Sequence, residues 1–234
     1  MKGRVYMLSD ILKAKRQMRS SANPFVPKTW VVSMDVGYSS IAAVSPNKLF
    51  SIPMSVRKSE ITDINDILPD KEVIRYRSPD GTIYDVGSSW AAEREERKKY
   101  ISDCGYWEQV DMLRILTETA LGVSLFNNFA RCYNDETIRA VCCLPPEYEE
   151  SSNFTMLKTM LEGYHKFSLL PAGSSNWLKF DFAVKSAVVM PKDFANSYFD
   201  LYCDKTAYSY IVNGNPPMFR SSIGLYLHYF SRYS

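Results

Sequence analysis

A chain of 234 residues that is 46% hydrophobic and 14% aromatic buries a substantial core, which excludes a disordered chain and suits one large domain or two small ones. Its formal net charge of +2 demands no polyanionic partner. No apolar run approaches the roughly 18 residues of a membrane-spanning helix, so no integral membrane contact is expected, and the amino terminus lacks the apolar core of a secretory signal.

Charge is uneven at the start. Residues 1–25 hold Lys2, Arg4, Lys13, Lys15, Arg16 and Arg19 against one acid, Asp10, with Leu8, Ile11, Leu12 and Met18 among them. Residues 1–28 therefore read as a basic arm, either a solvated tail or a dock for a partner, an acidic membrane surface or nucleic acid. The apolar run Thr29–Val36 then enters Asp35-Val36-Gly37-Tyr38-Ser39-Ser40 and leaves through Ile41–Val44, a strand, tight turn and antiparallel strand. The tip has two readings. Asp-x-Gly turns serve plain conformational needs; alternatively the amides and hydroxyls of Tyr38, Ser39 and Ser40 point at an anion, Gly37 permits its close approach, and Asp35 holds magnesium through water.

Leu49–Val56 supplies a third strand and completes a meander. After a polar loop at 61–71, Glu72–Arg77 and Thr82–Val86 flank Ser78-Pro79-Asp80-Gly81, whose Asp-Gly pair marks a second hairpin. Ser88 and Ser89 cap a charged helix through Lys98, and Glu108–Phe129 is a long amphipathic helix with Val110, Leu113, Thr117, Ala120, Leu121 and Ser124 on one side. Ile138–Leu144 reads as a central strand stopped by Pro145-Pro146, and Ser151 or Ser152 caps a helix ended by Gly163. Leu178–Lys185 alternates as a half-buried strand that Ala187–Met190 either continues or follows. Strands and helices in this order predict an α/β layered domain with a mixed sheet.

The remaining chemistry is sparse. Cys104, Cys132, Cys142, Cys143 and Cys203 are odd in number and lack Cys-x-x-Cys spacing, which points to a reduced, cytoplasmic chain and away from a disulfide scaffold or zinc site. Cys142 and Cys143 are expected in the core. His165 and His228 have no matching nucleophile motif, and His165 is placed to cap helix carbonyls. The aromatic end, including Phe219, Tyr226, Tyr229, Phe230 and Tyr233, stacks on bases with Arg220 and Arg232 or, more simply, is covered by this domain or a partner lobe.

Three segments together resemble the amino-terminal half of ParM-type bacterial and plasmid actin-like ATPases. Asp35–Ser40 is similar to the family's first phosphate loop. Ala140–Tyr148, with Leu144-Pro145-Pro146, is similar to its strand ending in Gly-Leu-Pro. Met160–Lys166 followed by the strand to Pro191 is similar to its Leu-Gly-x-His segment and the strand ending in Pro-Gln or Pro-Glu. The resemblance implies an actin-like, ribonuclease-H-like domain over residues 29–202, with 203–234 as an aromatic tail or remnant of the second lobe. It further implies ATP or GTP with magnesium, phosphate contacts from Asp35, Gly37, Tyr38, Ser39 and Ser40, and self-association or contact with a full-length actin-like protein and a DNA-bound adaptor.

This chain departs from the pattern at two positions. Ala42 stands where many members carry a phosphate-loop lysine, and Lys192 stands where they carry the Gln or Glu that orients the attacking water. No Asp-x-Gly-Gly-x-Thr second phosphate loop is recognisable near Tyr208–Pro216, and the residues after it are too few for an adenine-side lobe. The expectation is an actin-like nucleotide-binding protein of the plasmid or phage DNA-segregation type with weak or absent hydrolysis. A non-enzymatic actin-like module that regulates a filament-forming partner is the alternative, and a nucleic-acid adaptor using the arm and tail is a third.

Overall fold

The computed structural model describes residues 29–46, 48–59, 73–87, 110–126, 137–148, 151–171, 173–202 and 219–233. The basic arm, the 61–71 loop, the helix expected after Ser88, Cys104, Cys132, Cys203 and the 208–216 turn lie outside these residues. Among the described residues no helix is long and apolar enough to cross a membrane.

The expected meander forms. Strand β1 (Thr29–Val36) pairs antiparallel with β2 (Ser40–Ser45), which pairs with β3 (Lys48–Pro53). The third strand is shorter than expected, because proline has no amide to donate and the ladder ends at the Ser40–Pro53 pair. After Met54 and Ser55 the chain enters a separate strand, β4 (Val56–Lys58), paired with β6 (Ile83–Val86). Strand β5 (Ile74–Arg77) makes the second hairpin with β6. Its turn has Gly81 at φ +90°, and Asp80 accepts from the Thr82 amide at 3.0 Å.

Helix α1 (Val110–Leu125), β7 (Thr137–Leu144), α2 (Ser151–Leu161), β8 (Gly163–Leu170), β9 (Leu178–Pro191), α3 (Lys192–Tyr202) and α4 (Arg220–Tyr233) follow. Ala187–Met190 continues β9 and is not a second strand. Strand β8 is absent from the sequence reading, although His165, Phe167 and Leu169 alternate with Tyr164, Lys166 and Ser168 in the period of a strand. Gly163, at φ +100°, turns the chain out of α2 and straight into it.

The strands form one mixed sheet in the order β3-β2-β1-β7-β9-β8-β5-β6-β4, with β1, β7 and β9 parallel. Its two outermost strands, β3 and β4, are separated by two residues, a reach of about 10 Å. The sheet therefore bends back on itself, and α1 lies in the hollow against β1, β2, β3, β4 and β8. That geometry buries α1 from Ile115 to Leu125 on every side, beyond the single stripe expected, and leaves Val110 exposed at its start.

Helices cover both faces. Val32, Met34, Ile138, Ala140 and Cys142 pack with α1 and α2, whereas Ala42, Val44, Val141 and Cys143 pack with α3 and α4. Cys142 and Cys143 thus face opposite ways and are both fully buried, as expected of strand neighbours in the core. Burial pushes both thiols well above the ordinary thiol range. Iodoacetamide followed by peptide mass mapping is expected to leave both unmodified until denaturant is added; labelling of either in the folded chain would contradict their burial.

Two packing features hold these layers. Glu118, buried in α1, accepts from the Tyr76 hydroxyl and meets His165 Nδ1 at 3.0 Å, while His165 Nε2 donates to the Leu161 carbonyl at 2.9 Å. His165 caps a helix carbonyl as expected, and the carboxylate is its additional partner. On the opposite face, Gly224 of α4 meets the backbone of α3 at Ala195 and Phe199, and Ser33 of β1 donates to the Ser222 carbonyl at 2.5 Å.

Candidate functional site

The parallel ladder brings three strand ends to one edge. Asp35 of β1 pairs with Cys143 of β7, Cys143 with Met190 of β9, and Leu144 with Pro191. Beyond these residues each strand turns: β1 into the Gly37–Ser39 tip, β7 into a short 3-10 turn at Pro146–Tyr148, and β9 into α3 at Lys192. In open α/β sheets, ligands bind in the crevice outside the carboxyl ends of such strands.

The tip is closed by the Gly37 amide, which donates to the Ser40 carbonyl at 3.0 Å. Gly37 is not among the left-handed glycines; a Cβ there would lie 3.1 Å from the Ser40 carbonyl oxygen, a tight contact inside the turn. Tyr38 and Ser39 are exposed and Ser40 half-exposed. The Met54 amide anchors the Ser39 carbonyl at 2.9 Å, and the Tyr38 ring tilts against Tyr148 with centroids 5.9 Å apart. Asp35, Gly37, Tyr38, Ser39 and Ser40 therefore share one edge, together with Tyr148, which the sequence reading did not single out.

Asp35 is 4% exposed and faces the α3 side of the sheet, beside Cys143. Its Oδ2 lies 3.0 Å from Lys192 Nζ, whereas Oδ1 is buried without a hydrogen-bond partner. After burial, the Asp35 charge is the next cause that pushes the Cys143 thiol up, so the thiol stays protonated beside the carboxylate. The Asp35–Lys192 contact joins residues that the sequence reading treated separately. Asp35 lies near the end of β1 and Lys192 directly follows the parallel strand β9, but the strand order that brings them together is not written locally. Ala42, at the expected lysine position, is buried with Phe199, Phe219 and Ile223 beneath α3 and α4.

No family model and no curated protein matches the sequence. Among solved structures, the apo pSK41 ParM protein superposes with a TM-score of 0.51 at 11% identity, over 76% of this chain and 54% of ParM. The Alp12 filament superposes with a TM-score of 0.50 at 11% identity, over 74% of this chain and 49% of Alp12. The fold is actin-like. This actin-like chain spans about half the length of the structures it matches. Its carboxyl edge carries the Asp35–Ser40 hairpin, with Lys192 on the Asp35 carboxylate. Magnesium keeps several of its waters when bound. The Asp35 carboxylate fits a hydrated magnesium ion poorly, because Lys192 already sits on Oδ2 and Oδ1 is sealed from solvent.

Proposed function

We propose that this chain is an actin-like nucleotide-binding protein of the plasmid or phage DNA-segregation type, holding the phosphates of ATP or GTP at the edge formed by Asp35, Gly37, Tyr38, Ser39 and Ser40 and hydrolysing them slowly or not at all. The observation that carries the second half is Lys192. An ammonium follows Pro191 where the resemblance puts the residue that orients water, and a protonated amine cannot take a proton from it. Self-association is part of the reading, supported by a fold shared with Alp12, which is solved as a filament.

Titration with a fluorescent ATP analogue is expected to give saturable binding, and phosphate release is expected to stay at the buffer rate. Ser39→Glu places a carboxylate at the exposed tip, where it does not disturb the core, and is expected to weaken binding at least about tenfold through repulsion of the phosphates. No saturation at millimolar nucleotide overturns the reading, and steady phosphate release overturns its hydrolysis clause.

The exposed Tyr38 and Phe194, 44% and 59% accessible and close in sequence to Asp35 and Lys192, favour a second reading in which this edge docks on a filament-forming partner without nucleotide. Nucleotide-independent co-sedimentation with a full-length actin-like protein, lost in Phe194→Asp, is its expected signature.

A further inference from the structure

The geometry points to a phosphate site that carries its own cation: we propose that nucleotide is held here without a divalent metal ion, Lys192 supplying the positive charge that magnesium supplies in sites built for it. The inference rests on the phosphate-site reading above and goes beyond it by assigning the charge that accompanies the ligand.

Lys192 owes its position to rigid elements. It is the first residue of α3, immediately after Pro191 at the end of β9, and the Leu144–Pro191 and Asp35–Cys143 pairs tie that end through β7 to β1. The ammonium and the carboxylate are thus fixed by one ladder and meet at 3.0 Å. The pair is asymmetric in burial. The Asp35 side chain is 6% exposed and that of Lys192 33%, which sets the carboxylate in the floor and the ammonium at its boundary with solvent. An approaching polyanion meets the lysine first.

Metal binding at the same place fails on charge and on donors. One carboxylate would have to face a divalent ion and an ammonium together, and the two cations would repel across a few ångströms in a poorly screened site. The carboxylate's second oxygen is sealed from solvent and the carboxylate lies against the buried Cys143 thiol, which leaves a hydrated ion no approach from that side. Among the described residues no group of three or more His, Cys, Asp or Glu side chains is placed to hold a metal. Lysine is well suited to the substitution, because its compact, strongly hydrated charge binds phosphate as a point charge.

The test is an equilibrium titration of the full chain with a fluorescent ATP analogue, in magnesium and in EDTA, for the unaltered protein and for Lys192→Gln. The unaltered protein is expected to bind within about twofold under the two conditions. Lys192→Gln is expected to lose about tenfold or more in EDTA and to recover with magnesium, because the released Asp35 carboxylate then accepts the hydrated ion. Binding by the unaltered protein that disappears in EDTA overturns the inference and leaves the phosphate-site reading standing. Absence of saturation in both conditions overturns the phosphate-site reading, and this inference with it. The comparison of the unaltered protein in the two buffers decides the question even if the variant does not fold.

Discussion

Glu118→Leu is expected to lower the stability of the folded chain by about 3–5 kcal/mol, whereas Glu118→Gln is expected to cost less than about 1 kcal/mol. The difference follows from counting donors and acceptors. The Tyr76 hydroxyl and His165 Nδ1 both converge on the Glu118 carboxylate, while His165 Nε2 faces the Leu161 carbonyl, which only accepts. Leucine leaves the hydroxyl and one ring nitrogen buried without partners, each at the desolvation cost of a polar group. Glutamine satisfies the whole set in neutral form. Its amide donates to Nδ1, its carbonyl accepts from Tyr76, and Nε2 keeps its hydrogen for Leu161. Phe167 stacks on Tyr76 with centroids 5.5 Å apart and Phe182 on His165 at 5.4 Å, so neither ring can turn away to find water. Urea denaturation followed by circular dichroism measures both changes. Equal losses for Leu and Gln would show that the carboxylate's charge, and not the completeness of its hydrogen bonding, holds the network.

Gly224→Ala is expected to destabilise the chain by about 2 kcal/mol, against the helix-propensity gain of about 1 kcal/mol that this replacement brings in an open helix. The added Cβ would lie 2.2 Å from the Ala195 carbonyl oxygen and 2.6 Å from the Phe199 amide nitrogen, both backbone atoms of α3. No rotamer change relieves such contacts, so α3 and α4 must separate. The Asn196–Ser221 hydrogen bond at 2.9 Å and the Tyr198–His228 stack, with centroids 3.7 Å apart, are lost as they do. Gly122 is the internal control. A Cβ there meets only the side-chain ends of Leu169 and Phe167, at 2.6 and 2.9 Å, and Gly122→Ala is expected to cost clearly less. Thermal melts of the two variants rank them. A smaller loss at 224 than at 122 would mean that the helix crossing gives way more easily than the core around α1.

Local chemistry in the sequence reached most of the elements. Period-two runs around Asp35–Ser40 and Asp80-Gly81 specified both hairpins, Pro145-Pro146 ended β7, and Gly163 ended α2, because turn residues act within a few positions. What stayed hidden depends on partners far along the chain. The pattern of α1 implied one buried stripe, whereas Glu118 and Thr119, outside that stripe, are buried too, since nothing local says that the sheet folds around the helix. The Leu49–Val56 run gave no sign that its two pieces join opposite ends of the sheet. At the candidate site, the hairpin tip was legible as a unit. The Lys192–Asp35 contact was not, because it exists only through the parallel pairing of β1 with β7 and of β7 with β9.

The seating of α4 also has a consequence in time. Ser33 and Ser222 are 189 residues apart, and at roughly 5–20 residues per second a ribosome takes about 10–40 seconds to deliver the second after the first. Throughout that interval Ala42 and Val44 lack Phe219 and Ile223, which later cover them. The nascent meander is then a sticky, half-finished surface and a natural client for holding chaperones.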